Sequence, residues 1–228
     1  MPNFHPHRYS MFLAAELNMT TDFDANTKAA IYFLDELDTE IRAMFEALRP
    51  RIEAISRLQQ VPDLNWVEAL NRDPVEGYGD GVVCKRYLCN FGLGLKTGKR
   101  ANRRATTYLS AQVSLDTPDG VPSLMWIGLW DEQVTSVDVD AWDAQYLVEQ
   151  GEWWKLQSNF LLTHCANDDS KHWSEQAWAF AVPLKKLNNT TDLEQGIIAP
   201  LIDVLKREKA PEAILSAHKQ YLYQVVAT

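Results

Sequence analysis

With 228 residues, 46% of them apolar and 23% charged, the chain has the composition of a globular protein that can bury one substantial core. No apolar run approaches the ~20 residues of a membrane-spanning helix, the patch at Met11–Ala15 is too short for a secretory leader, and a net charge of -9 argues against coating of nucleic acid or anionic membrane by the whole surface. Three cysteines, Cys84, Cys89 and Cys165, leave an odd thiol, which points to a reducing cytoplasm.

The first periodic segment starts after Asp24, where Asp24, Asn26 or Thr27 can cap a helix. Leu34, Ile41, Leu48 and Ile55 recur every seventh residue, and Ile31, Leu37, Met44, Phe45 and Ile52 widen the stripe. Pro50 interrupts it and predicts a kink or a restart at Pro50–Arg51, because proline removes a backbone donor and clashes with the preceding turn. Packing of this stripe on the chain's own sheet is the first expectation, and a homodimer through the helix is the second. A short helix over Asn65–Asn71 leads into a turn-rich stretch, Asp73–Gly81.

Strand patterns follow. Val82–Phe91 is rich in β-formers, Gly92–Arg103 reads as a long hairpin loop, and Ala105–Leu115 alternates strictly between apolar and polar residues. Thr117–Gly120 turns the chain into a strand at Leu124–Trp130, and Asp140–Gln150 reads as a helix closed by Gly151. Trp153–His164 and Gln176–Leu184 supply two more strands. The second sets Trp178, Phe180, Val182 and Leu184 on one face and Ala177, Ala179 and Ala181 on the other, so a helix is expected on the alanine face of a central strand. Helices over Asp192–Lys209 and Pro211–Val226 close the chain. The expected class is α+β, a mostly antiparallel sheet of about five strands with N-terminal and C-terminal helices packed on it. One domain is expected over 1–228, with a helical region at 1–72, the sheet at 81–184 and C-terminal helices at 192–226.

Charge is the sharpest signal. Of the 22 Lys and Arg in the chain, seven (Lys85, Arg86, Lys96, Lys99, Arg100, Arg103 and Arg104) lie between Gly81 and Leu115, a stretch without Asp or Glu. The next stretch, Asp116–Trp154, carries nine acids and no Lys or Arg. Glycines and cations in one loop suit phosphate or carboxylate oxygens, because the backbone can approach closely where the side-chain heads converge. Tyr87, Phe91 and Tyr108 are candidates for stacking on exposed bases. The competing reading is a solvated or self-neutralised charge run that binds nothing.

Other chemistry fits less well. GLGLKTGKR at Gly92–Arg100 departs from the phosphate-binding P-loop in glycine spacing, puts Arg100 where a hydroxyl would hold magnesium, and precedes a strand instead of a helix. His164, Asp168 and His172 are the candidate metal ligands, and with them a metal-dependent phosphoester hydrolase or nuclease is an alternative. No G-x-S-x-G elbow occurs. Seven of the eight tryptophans fall between Trp126 and Trp178; most are expected in the core, while Trp142, beside Asp138, Asp140 and Asp143, marks an acidic surface for a partner. The leading expectation is therefore a non-enzymatic macromolecular binding protein of the inhibitor, immunity or adaptor type. It would use the basic hairpin and the acidic Trp-bearing surface, with protein or nucleic acid as partner, no cofactor and no membrane. An acidic nucleic-acid mimic that inhibits a DNA-binding machine is the remaining alternative.

Overall fold

The computed structural model describes residues 23–57, 76–78, 86–93, 107–117, 119–130, 154–164, 177–206 and 209–225. The first described element, α1 (Phe23–Arg57), is a single helix of 35 residues. Ile41, Met44, Phe45, Leu48, Ile52 and Ile55 bury the stripe read from the sequence. The restart expected at Pro50 does not occur. Pro50 is exposed, as is Glu46, whose carbonyl loses the N–H that another residue at position 50 would offer, so the missing bond falls on the solvent side of the helix and the helix runs on to Arg57.

Among the described residues seven strands form one sheet: β1 (Glu76–Tyr78), β2 (Arg86–Leu93), β3 (Thr107–Ser114), β4 (Leu124–Trp130), β5 (Trp154–Ser158), β6 (Leu161–His164) and β7 (Trp178–Pro183). Their order is β1-β2-β3-β4-β7-β6-β5 and every neighbouring pair is antiparallel, so the chain has the α+β class expected of it. Two strands exceed the expected five. β1 lies in the stretch read as turns, where Glu76–Tyr78 completes the ladder beside β2. The stretch read as one strand, Trp153–His164, folds back on itself at Asn159–Phe160. There the Ser158 hydroxyl accepts from the backbone N–H groups of Phe160 (3.2 Å) and Leu161 (3.1 Å), a local bond that competes with extension of the strand.

β7 is central, between β4 and β6, and alternates as expected. The side covered by helices is the reverse of the expectation. Trp178, Phe180 and Val182 share a cluster with α1 and the C-terminal helices, whereas Ala179 and Ala181 pack with Leu88, Leu124, Trp126, Leu162 and Val225. The large side chains supply the apolar area that a helix needs to cover.

After β7 come α2 (Thr190–Leu193), a π-helical turn (Glu194–Ile198), α3 (Ala199–Lys206) and α4 (Pro211–Ser216). The helix expected from Asp192 begins at Thr190, because Asn189 caps it. The Asn189 side chain accepts from the Asp192 N–H at 3.0 Å, and Asp192 Oδ2 accepts in return from the Asn188 N–H (3.0 Å) and from Asn189 Nδ2 (2.9 Å). The π turn ends just before Pro200, which has no N–H to offer the Gly196 carbonyl; the Ala199 N–H bonds Glu194, five residues back. The helix expected to reach Val226 stops at Ser216 instead. Two sheet bonds draw the chain into extension, Tyr223 N–H to the Ala181 carbonyl (2.8 Å) and Val225 N–H to the Asn159 carbonyl (2.9 Å). The first uses a position on β7 beyond its pairing with β6, which covers Ala179 and Trp178, and the second uses the turn between β5 and β6.

Candidate interaction site

The basic segment maps onto a hairpin. β2 and β3 pair without a shift from Arg86↔Ser114 to Leu93↔Thr107. The stretch 94–106 joins them, and Lys96, Lys99, Arg100, Arg103 and Arg104 belong to it; these five lie outside the described residues, as does Lys85. Arg86 is placed at the other end of β2, seven residues or about 23 Å from Leu93, half-buried and in register with Ser114 and with Tyr78 of β1. Arg86 is thus set apart from the strand ends that the five-cation connection joins.

The hairpin is held on both faces. Toward the helices it presents Tyr87, Cys89 and Phe91 from β2 and Leu109, Ala111 and Val113 from β3, all buried. Stacking on an exposed base is therefore closed to Tyr87 and Phe91, which are 2% and 3% exposed; Tyr108 is half-buried. Two arginines of α1 lie over these rings, Arg42 at 5.9 Å from the centre of Tyr87 and Arg49 at 5.7 Å from that of Phe91. Arg49 also donates to Cys89 Sγ at 3.5 Å. The Asp38 carboxyl, which accepts from Arg42 at 2.8 Å, is held below its ordinary pKa by that bond. Partial burial opposes the shift, and a hydrogen bond with Tyr87 adds to it.

On the other face the polar half of the β3 alternation, Ser110, Gln112 and Ser114, is buried as completely as the apolar half. Ser110 donates to Asn90 across the β2–β3 ladder, and Gln112 Nε2 donates to Ser114 Oγ at 3.3 Å. Trp126 of β4 stands beside Gln112 in register and is fully buried. Strict alternation predicts a wet polar face, and no signal in the sequence marks this one as buried. The Ser110–Asn90 bond ties the two strands of the hairpin at a directly paired position, while the Gln112–Ser114 bond stays within β3.

The other expected residues fare as follows. His164 ends β6, in register with Trp154, while Asp168 and His172 lie outside the described residues, as do Asp138, Asp140, Trp142 and Asp143. Among the described residues no group of three or more His, Cys, Asp or Glu is placed to hold a metal ion, and no helix is long and apolar enough to cross a membrane. Sequence reasoning missed one surface. Phe23, Ile31, Tyr32 and Phe33 of α1 are exposed, although Ile31 was expected in the buried stripe. The signal was the run Ala29–Leu34, six apolar residues that cover every side of a helix and so exceed what one packed face can bury. No protein-family model matches the chain, and comparison with characterised proteins and with solved structures finds no similarity.

Proposed function

We propose that this is a non-enzymatic binding protein that engages an anionic macromolecule through the connection between β2 and β3. One observation carries the reading: five cations and no acid fall in a connection whose two strand ends are fixed by an unbroken eight-pair ladder. A cationic loop on a rigid base loses less freedom on docking than one on a mobile base, and its charges act as a group on a run of phosphates or carboxylates. The acidic, Trp-bearing stretch around Asp138, Asp140, Trp142 and Asp143 serves in this reading as a second surface, for a basic protein. The protein acts as an inhibitor or adaptor, bringing two macromolecules together or keeping one of them occupied.

The test compares a labelled single-stranded oligonucleotide with a labelled glutamate-rich peptide, each titrated with the full chain and with a variant in which Lys96, Lys99, Arg100, Arg103 and Arg104 are all glutamate. The expected result is salt-sensitive binding of at least one probe by the parent chain, lost in the variant while its melting temperature holds. A variant that melts lower while neither chain binds would show that the cations serve the fold.

A further inference from the structure

The first half of α1 overhangs the sheet. Arg42 lies over Tyr87 and Arg49 over Phe91, so helix and β2 run in the same direction. Residues ahead of Arg42 therefore continue beyond the Arg86 end of β2, for about 28 Å to Phe23 at 1.5 Å per residue. The seam buried at Ile41 carries on into this overhang at steps of four and three, through Leu37, Leu34, Ala30, Thr27 and Phe23. Leu37 and Leu34 are half-buried, whereas Ala30, Thr27 and Phe23 are exposed. Ile31 and Phe33, on the two flanks of the seam, are 55% and 45% exposed, and Phe23 is 83% exposed. Beyond this bare apolar stretch the helix turns acidic: Asp35–Glu40 holds four acids and no Lys or Arg.

The 22 residues ahead of Phe23 lie outside the described residues, and their sequence runs through the complementary pattern in reverse order. Seven of the nine residues Met11–Met19 are apolar, all but Glu16 and Asn18, whereas residues 1–10 hold Arg8, His5, His7 and no acid. We infer that Met11–Met19 folds back on the bare seam of α1 as an antiparallel helix, capped by Ser10 and joined to α1 through Thr20–Asp22. A connection of three residues is within the range of helical hairpins, and Thr, Thr and Asp suit caps and turns better than a helix interior. A straight extension of α1 through Met11–Met19 would instead leave both apolar stretches in water.

Length and charge both select this occupant. Nine helical residues span about 13 Å, which along α1 reaches from Phe23 to about Ile31. That is the stretch where the seam is bare, and it stops short of Leu37 and Ile41, which already pack in the core. Phe12, Ala15 and Met19 recur at steps of three and four and form one face. With Met19 beside Phe23, Phe12 comes beside Ala30, a ring against a small side chain, and Tyr32 stays on the far side of α1. The same register carries Arg8, His7 and His5 alongside Asp35–Glu40, so opposite charges meet where the apolar match ends. Arg42 answers Asp38 at 2.8 Å, yet Asp35–Arg42 stays acidic, with four acids to one base.

Hydrogen exchange of the full chain at about 5 µM, read by mass spectrometry, provides the test, because a nine-residue helix is too short to protect its amides unless it is docked. The expected result is exchange of the Ala14–Met19 amides at least about tenfold slower than in an unstructured chain. Ala30→Asp, at an exposed position of α1, should bring that exchange to within about twofold of the unstructured rate, with β3 and the part of α1 beyond Leu34 unchanged. Arg8→Glu should speed it about two- to fivefold, as expected for reversing an exposed ion pair. Three results overturn the inference: exchange at the unstructured rate in the parent chain, protection that survives both substitutions, and protection that appears only near 200 µM, which would make a second copy the occupant.

Discussion

Replacing Phe45 by alanine measures how firmly the second half of α1 rests on the sheet. Phe45 is fully buried, in one cluster with Ile41, Met44, Leu48, Tyr87, Cys89 and Phe91. Truncation to alanine at such a site removes the transfer energy of the ring and leaves a cavity, together about 3–5 kcal/mol. For a chain of this length each kcal/mol lowers the melting temperature by about 2–4 °C, so the midpoint should fall by about 6–20 °C. Tyr32, on the same helix and exposed, is the internal control, since its replacement by alanine should change stability by less than about 0.5 kcal/mol. Urea unfolding followed by far-ultraviolet circular dichroism provides the assay, with the denaturant slope required to stay constant so that the midpoint reports stability. A loss below about 1 kcal/mol for Phe45→Ala, the low end of ordinary substitutions, would mean that α1 does not pack on the sheet and that Arg42 and Arg49 do not fix its direction.

Two further changes probe local features of the fold. Asn189→Ala should cost about 1 kcal/mol by uncapping α2, and adding Asp192→Ala should cost less than the sum of the two single changes, because both residues serve the same set of hydrogen bonds; an additive pair in urea unfolding would contradict the reciprocal cap. Asp38, with its pKa held below the ordinary value, lends stability that is present above the unfolded carboxyl pKa of about 3.9 and is lost as pH falls through the folded value. The difference in melting temperature between the parent chain and Asp38→Asn should therefore narrow as pH drops below about 4, and a gap independent of pH would contradict the bond to Arg42.

Period and residue type carried much of the fold. The helix stripe from Ile41 to Ile55, the span of β4 and the alternation of β7 were legible because apolar spacing follows the burial geometry directly. What the sequence hid was decided by competition between local and distant bonds. Pro50 suggested a break, but a proline on the exposed side of a helix leaves its unbonded carbonyl on the solvent side, and the helix continues. Ser158 turned one strand into two, and the bonds from Tyr223 and Val225 to the sheet ended α4 early. The burial of Ser110, Gln112 and Ser114 was invisible for a related reason, since alternation shows that two faces differ and not what covers each of them. Of the candidate site, the hairpin was legible from its two strands and the glycines between them. The full separation of Arg86 from that connection was not, because the strand read as starting at Val82 starts at Arg86 and runs on to Leu93.

The salt dependence of oligonucleotide binding reports on the cations of the β2–β3 connection. If the five cations of the β2–β3 connection make the contact, the logarithm of affinity for a single strand should fall against the logarithm of salt with a slope of about -3.5, or about 100-fold between 50 and 200 mM. Each Lys or Arg replaced by alanine should then reduce that slope by about 0.7. Binding with a slope near zero, or a slope that the replacements leave unchanged, would contradict the account.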